Sequence, residues 1–169
     1  MTATEKNLKE AFAGESQANR KYLAFSKKAK LDGYPQIAKL FFAAAEAETV
    51  HAHAHLRVLG GIKSTAENLE AAIEGEGFEF QEMYPKFLEK AEKEGNKGAV
   101  NSFRWALDVE KVHQALYIRA LESLKRGEDL PDAPMYVCSV CGDTFFGSAP
   151  DKCPVCGAVR EKIFQVPEK

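Results

Sequence analysis

Leu40-Phe41-Phe42-Ala43-Ala44-Ala45-Glu46-Ala47-Glu48-Thr49-Val50-His51 is the stretch on which the fold turns. Leu40 and Ala44 recur at helical spacing, Glu48 takes the next four-residue step, and His51 follows three residues later on the same face. A carboxylate and an imidazole therefore occupy positions where an amphipathic helix presents its core residues. The motif returns as Glu110-x-x-His113, between Leu107 and Tyr117, with 62 residues separating each Glu and each His from its counterpart.

Working outward, Leu8, Phe12, Ala18, Tyr22 and Phe25 define a first helix from Lys6 to about Leu31, closed by Asp32-Gly33. Pro35 suits the first turn of the second helix, which runs to Gly60-Gly61. Ser64-Thr65-Ala66-Glu67 resembles a capping box and opens a short helix weakened by Gly75 and Gly77, followed by a longer one to about Glu94 that Pro85 kinks or restarts. Phe103, Leu107, Val109, Tyr117, Ala120 and Leu124 mark the last helix, ending at Gly127. The pattern predicts a mainly α chain built as a four-helix bundle, with a long crossover expected between the second and third helices. The expected boundaries are 1–127 for the bundle, 128–134 for a proline-bearing linker, and 135–169 for a small metal-knuckle β domain.

Glu15 falls among Leu8, Phe12 and Tyr22 on the first helix, and Glu79 and Glu82 lie three apart on the third. Each half of the bundle thus offers a lone Glu and a Glu-x-x-His, the constellation of dimetal carboxylate bundles, with Glu82 in excess. Five carboxylates and two imidazoles on one axis leave repelling buried charge that costs several kcal/mol per uncompensated ion. Two divalent cations nearly neutralise it, and carboxylate with imidazole suits iron, manganese or zinc. Tyr22 and Tyr117 read as core aromatics or as hydroxyls beside a metal ligand. His55 reads as a packed or capping residue, His53 as solvated, and Glu46 and Asp108 as surface charges.

All four cysteines lie in the tail, as Cys138-x-x-Cys141 and Cys153-x-x-Cys156, each in a glycine-bearing knuckle. That spacing points to four thiolates on one iron or zinc, which would hold together a segment too small for a core of its own. With Lys+Arg 23 against Asp+Glu 25, the net charge of -2 gives no field suited to nucleic acid. No apolar run approaches a membrane span, and the charged start MTATEKNLKEAF does not read as a secretory signal, so a cytoplasmic location is expected.

Gly14-Glu15-Ser16-Gln17-Ala18-Asn19, Glu48-x-x-His51, Glu79-x-x-Glu82-Met83-Tyr84-Pro85, Glu110-x-x-His113 and the cysteine tail together resemble rubrerythrin over nearly the whole chain. The resemblance implies a ferritin-like di-iron bundle followed by a rubredoxin-like domain holding one iron, with zinc as a substitute. It implies that Glu48 and Glu110 bridge the irons, that Glu79 and His113 hold one, and that Glu15 holds the other, which exchanges Glu82 for His51 on reduction. It further implies reduction of hydrogen peroxide to water. Electrons would come from a rubredoxin or an NAD(P)H-dependent reductase, through the tail of the opposing subunit in a head-to-tail homodimer or higher homo-oligomer. Two other readings remain open here: a ferritin-like protein that oxidises and sequesters iron, and a structural bundle with a zinc-ribbon docking module.

Overall fold

A computed structural model describes residues 1–167; the last two residues of the expected tail lie outside the described residues. The chain divides into two compact units, Met1–Lys63 and the remainder from Ser64.

The first unit is a helical hairpin of α1 (Ala3–Leu31) and α2 (Pro35–Val58). A capping box starts α1, with Thr2 and Glu5 each satisfying the other's backbone N–H. Pro35 starts α2 at a position where no N–H is needed. Ala38, Ala45 and Ala52, one heptad apart, are buried along α2 and let the two backbones approach closely. Buried Asn19 on α1 fastens them: its Nδ2 donates to the Ala45 carbonyl at 2.7 Å and to Thr49 Oγ1 at 2.9 Å. Ser26 Oγ donates to the Ala38 carbonyl at 2.8 Å. Two helices alone cannot enclose a core, and Phe25, Ile37, Leu40, Phe42 and Val50 are all exposed.

The expected long crossover is absent. Only residues 59–64 separate Val58 from Thr65, and half of them still cap α2: the N–H groups of Leu59, Gly60 and Gly61 donate to the carbonyls of His55, Arg57 and Leu56. Gly60 takes φ +66°, the left-handed turn that ends the helix. The Ser64–Glu67 capping box then starts the next helix at once.

In the second unit, α3 (Thr65–Phe78) runs through a π-helical turn, Glu79–Met83, into α4 (Tyr84–Lys93), and α5 (Lys97–Lys125) packs against all three. Pro85 sits in the first turn of α4, so it restarts the helix after the π turn. Gln114 Nε2 on α5 donates to the Ile73 carbonyl at 3.0 Å, and a Cβ on Gly77 would lie 2.4 Å from that nitrogen. Gly77 weakens the helix locally but admits the crossing amide.

The tail carries a three-stranded antiparallel sheet in the order β2-β1-β3, with β1 Met135–Cys138, β2 Thr144–Phe146 and β3 Ile163–Gln165. Its core is Cys138, Cys153 and Ile163, flanked by Tyr136 and Phe145. No described helix is long and apolar enough to cross a membrane.

Candidate metal centres

The tail site is built from two matching knuckles. In each, a glycine N–H bonds back to the first cysteine's carbonyl: Gly142 to Cys138 and Gly157 to Cys153, both at 2.9 Å. Both glycines have positive φ, which lets the chain double back and aim two sulfurs at one point. The four sulfurs converge, with Cys138 to Cys156 at 3.7 Å and Cys141 to Cys153 at 3.5 Å. Burial pushes the Cys141 thiol well above its ordinary value and Cys153 up to about 11. For Cys138, burial acts upward but the N–H groups of Cys141 and Val140 hold the thiol below it. Crowded thiols of this kind accept a tetrahedral metal cation, which supplies the charge that four thiolates require, so this donor set fits iron or zinc.

Two further donor clusters lie on the helices, one in each unit. Glu15, Glu48 and His51 gather on the α1–α2 hairpin, with His51 Nδ1 3.0 Å from Glu48 Oε2. Glu76, Glu110 and His113 gather on α3 and α5, with His113 Nδ1 2.8 Å from Glu110 Oε2 and 3.9 Å from Glu76 Oε1. Each is a Glu2His set with ligand atoms within 4.8 Å of one another. Hard oxygen with imidazole nitrogen fits a first-row divalent metal. The two clusters correspond: 62 residues separate Glu48 from Glu110 and His51 from His113, and 61 separate Glu15 from Glu76.

Glu76 was not among the residues singled out from sequence, and Glu79 and Glu82 stand differently from it. Burial raises the Glu76 pKa, with Glu110 adding to the effect. Burial, followed by Glu76, raises that of Glu79, so Glu79 faces the cluster without being one of its three converging donors. Glu82 is exposed and pairs with Lys86 at 3.1 Å. The aromatic neighbours show why Glu76 corresponds to Glu15. Tyr22, Phe25 and Phe41 form a ring cluster in the first unit, and Tyr84, Phe87 and Phe103 form another in the second, each member 62 residues from its counterpart. The separation grows from 61 to 62 between Glu76 and Tyr84, where the π turn inserts one residue. Counting back from the aromatic trio across that insertion would have found Glu76.

Other hydroxyls sit near the second cluster. Burial raises the pKa of Tyr84 and of Tyr117, with Glu79, Glu110 and Glu76 adding to the first and Glu76 and Glu110 to the second. Tyr22 packs in its aromatic trio. His53 and Glu46 are exposed, His55 is half-buried in the last turn of α2, and Asp108 pairs with Lys111 at 3.1 Å.

The tail reaches the second cluster directly. Thr144 Oγ1 on β2 lies 3.0 Å from His113 Nε2 and itself donates to the Gly142 carbonyl, next to Cys141, at 3.1 Å. With its hydrogen committed to that carbonyl, the hydroxyl oxygen is the acceptor for His113 Nε2–H. Arg119 on α5 stacks over Phe146, its guanidinium 4.4 Å from the ring centroid, and fixes the same contact.

Known proteins resemble this chain in both its helical part and its tail. Residues 6–121 match the rubrerythrin family, and residues 136–163 match the rubredoxin-like domain of rubrerythrin. The chain is 36% identical to rubrerythrin-2 of Clostridium acetobutylicum, covering 92% of each chain. It is 39% identical to a rubrerythrin of Porphyromonas gingivalis, covering 90% of this chain and 84% of the relative. The structure of fully reduced, all-ferrous nigerythrin is similar at 34% identity and a TM-score of 0.57, covering 98% of this chain and 88% of that one. The fold class is that of a ferritin-like bundle protein with a C-terminal rubredoxin-like domain.

Proposed function

Because the chain belongs to the rubrerythrin family, we propose that it is a non-haem di-iron peroxidase that reduces hydrogen peroxide to water. The carrying observation is the pair of matched Glu2His clusters, one of them hydrogen-bonded through Thr144 to the four-cysteine tail. In this reading Glu15, Glu48, His51, Glu76, Glu110 and His113 hold the metal pair, and Glu79 and Glu82 are the carboxylates available when its coordination changes. Cys138, Cys141, Cys153 and Cys156 hold a single iron. Iron bound at these sites would supply two electrons at one place, polarise peroxide oxygens, and return electrons one at a time from the tail.

The overall change consumes one peroxide, two electrons and two protons and yields two waters. The chain's own groups supply the protonic half. Tyr84 and Tyr117, with pKa values raised by burial and by the nearby carboxylates, keep their phenolic hydrogens and stay donors. Glu79, its pKa raised by burial and by Glu76, holds a proton more readily than an ordinary carboxylate does. Thr144 orients His113 and links the tail to it. Since this contact lies within one chain, the proposed relay runs from each tail to its own α5, in place of the cross-subunit relay expected from the resemblance. A rubredoxin or an NAD(P)H-dependent reductase would supply the tail. The functional division remains 1–127 for the peroxide-reducing bundle, 128–134 for the linker and the cysteine module beyond.

Glu48→Ala and Glu110→Ala test the assignment. Each should lose bundle iron and donor-driven peroxide consumption while keeping the visible absorption of the thiolate iron. Undiminished turnover in both variants would place the chemistry elsewhere.

A further inference from the structure

In each unit the backbone carbonyl one turn ahead of the lone Glu receives a side-chain donor, and the two units supply it from different places. On α1 the carbonyl is that of Phe12, three residues before Glu15, and Ser16 Oγ of the same helix donates to it at 2.6 Å. On α3 the matching carbonyl is that of Ile73, three residues before Glu76, and its donor comes from the other helix: Gln114 Nε2 on α5, at 3.0 Å. The substitution is reciprocal. Counting 61 residues on from Ser16 reaches Gly77, which has no hydroxyl, and counting 62 back from Gln114 reaches Ala52, which has no amide. Gly77 also leaves the space the amide occupies, since a Cβ there would collide with Gln114 Nε2.

A carbonyl has two lone pairs, so it takes such a donor beside its helical bond. On α1 the extra bond is internal and acts only on its own helix. On α3 it ties the turn ahead of Glu76 to the residue next to His113, and Glu76 Oε1 lies 3.9 Å from His113 Nδ1. The imidazole donor and the anchor of the carboxylate donor are thus neighbours on one turn of α5. The second unit has need of that anchor. Glycine is a poor helix former, Gly75 and Gly77 flank Glu76, and the π turn begins at Glu79. The first unit is fastened beyond its ligand, by Asn19 to the Ala45 carbonyl. Counting 61 or 62 on from Asn19 lands on Phe80 or Gln81, inside the π turn. In the second unit the fastening amide stands on the opposite helix and grips the side of the ligand where α3 is still regular.

We propose that Gln114 is a positioning residue: seated over Gly77 and bonded to the Ile73 carbonyl, it holds the Glu76 turn of α3 in register with His113. Its consequence for metal binding rests on the dimetal reading above; its hold on the turn does not, and the experiment separates the two.

Gln114→Ala removes the donor and clears the space over Gly77. The full chain is titrated anaerobically with ferrous ion and Mössbauer spectra of the loaded protein are recorded. Bundle iron should bind about tenfold more weakly than in wild type, the loss typical of an outer partner of a metal ligand. The signal of one bundle iron should change and that of the tail iron should not. Gln114→Met, which fills the space without donating, should lose as much. Adding Gly77→Ser to Gln114→Ala should restore affinity and spectrum, because the new hydroxyl stands where Ser16 stands on α1. Wild-type affinity in both single variants overturns the proposal, as does a double variant no better than Gln114→Ala. In the metal-free protein, amides of residues 74–83 should exchange faster in Gln114→Ala and slow again in the double variant; exchange that does not respond also overturns it. Should the wild type bind no bundle iron while exchange responds as described, the dimetal reading falls and the hold on the turn stands. Should it bind iron while neither readout responds, only the role of Gln114 falls.

Discussion

The α1–α2 hairpin and the α3–α5 unit are two versions of one device, and they differ by one residue. Both set a Glu-x-x-His on one helix against a lone Glu on its neighbour, with a Tyr-Phe-Phe cluster beside it. In the first unit seven residues separate Glu15 from Tyr22 along an unbroken helix; in the second, eight separate Glu76 from Tyr84 across the π turn. The inserted residue lies between Glu76 and Tyr84, in the turn that carries Glu79, whose pKa is raised by burial and then by Glu76. The second difference is the tail, which meets His113 of this unit through Thr144. In the proposed function the first half would hold metal, and the second would hold it and also manage protons and electrons.

The comparison is broken most severely at the tail. Cys141→Ser should abolish iron binding there and bring donor-driven peroxide consumption to background, while metal analysis still finds bundle iron. Loss of both metals together would contradict the division of labour between the modules.

Deleting Gln81 sharpens the comparison by making the halves alike. Removing the inserted residue should convert the π turn to regular α-helix, retain Glu76 and bundle iron, turn Glu79 away, and slow peroxide reduction at saturating donor. A deletion that strips bundle iron would show that Glu79, and not Glu76, is the indispensable ligand.

A smaller effect is expected at the contact between tail and α5. Thr144→Val leaves His113 Nε2 without its acceptor, and loss of such an outer partner weakens metal affinity by about 10–100-fold. Iron titration should show that loss together with slower reoxidation of the tail, and Thr144→Ser should restore both. Equal behaviour of the Val and Ser variants would mean the hydroxyl has no part.

The smallest effect is in the metal-free protein. Glu76 and Glu79 have raised folded-state pKa values, so the neutral forms are favoured. Their contribution to stability is present below the ordinary carboxylate range and is lost as pH rises through the raised values. Thermal melts of iron-free Glu76→Gln across mildly acidic to neutral pH should therefore show a smaller decline with pH than iron-free wild type. A parallel decline would remove Glu76 from the account of that charge cluster.

Much of this molecule is legible in its residues because the signals are local. The Ser64–Glu67 box, Pro35, Gly60 and the two cysteine knuckles each act over a few positions, and each marks the boundary or turn it encodes. The Glu-x-x-His motifs are legible for the same reason, since three residues along a helix share a face. Glu76 is not, because reading the third helix with α periodicity misses the one-residue slip, and the three-residue spacing of Glu79 and Glu82 then takes its place. The short connection at 59–64 follows from capping signals that are present in sequence, but the expectation of a crossover overrode them. Thr144 against His113 joins residues 31 apart on different elements, and nothing local announces it.

The most direct test of the central claim is a single titration. The fully iron-loaded protein is reduced anaerobically, given one equivalent of hydrogen peroxide, and followed by the absorption of the thiolate iron. Ferric thiolate absorption should grow as the tail gives up its electron to the newly oxidised bundle, with water as the product and no such growth in Glu110→Ala. A tail that stays ferrous while the bundle is oxidised, or one that oxidises equally fast without bundle metal, would contradict the account.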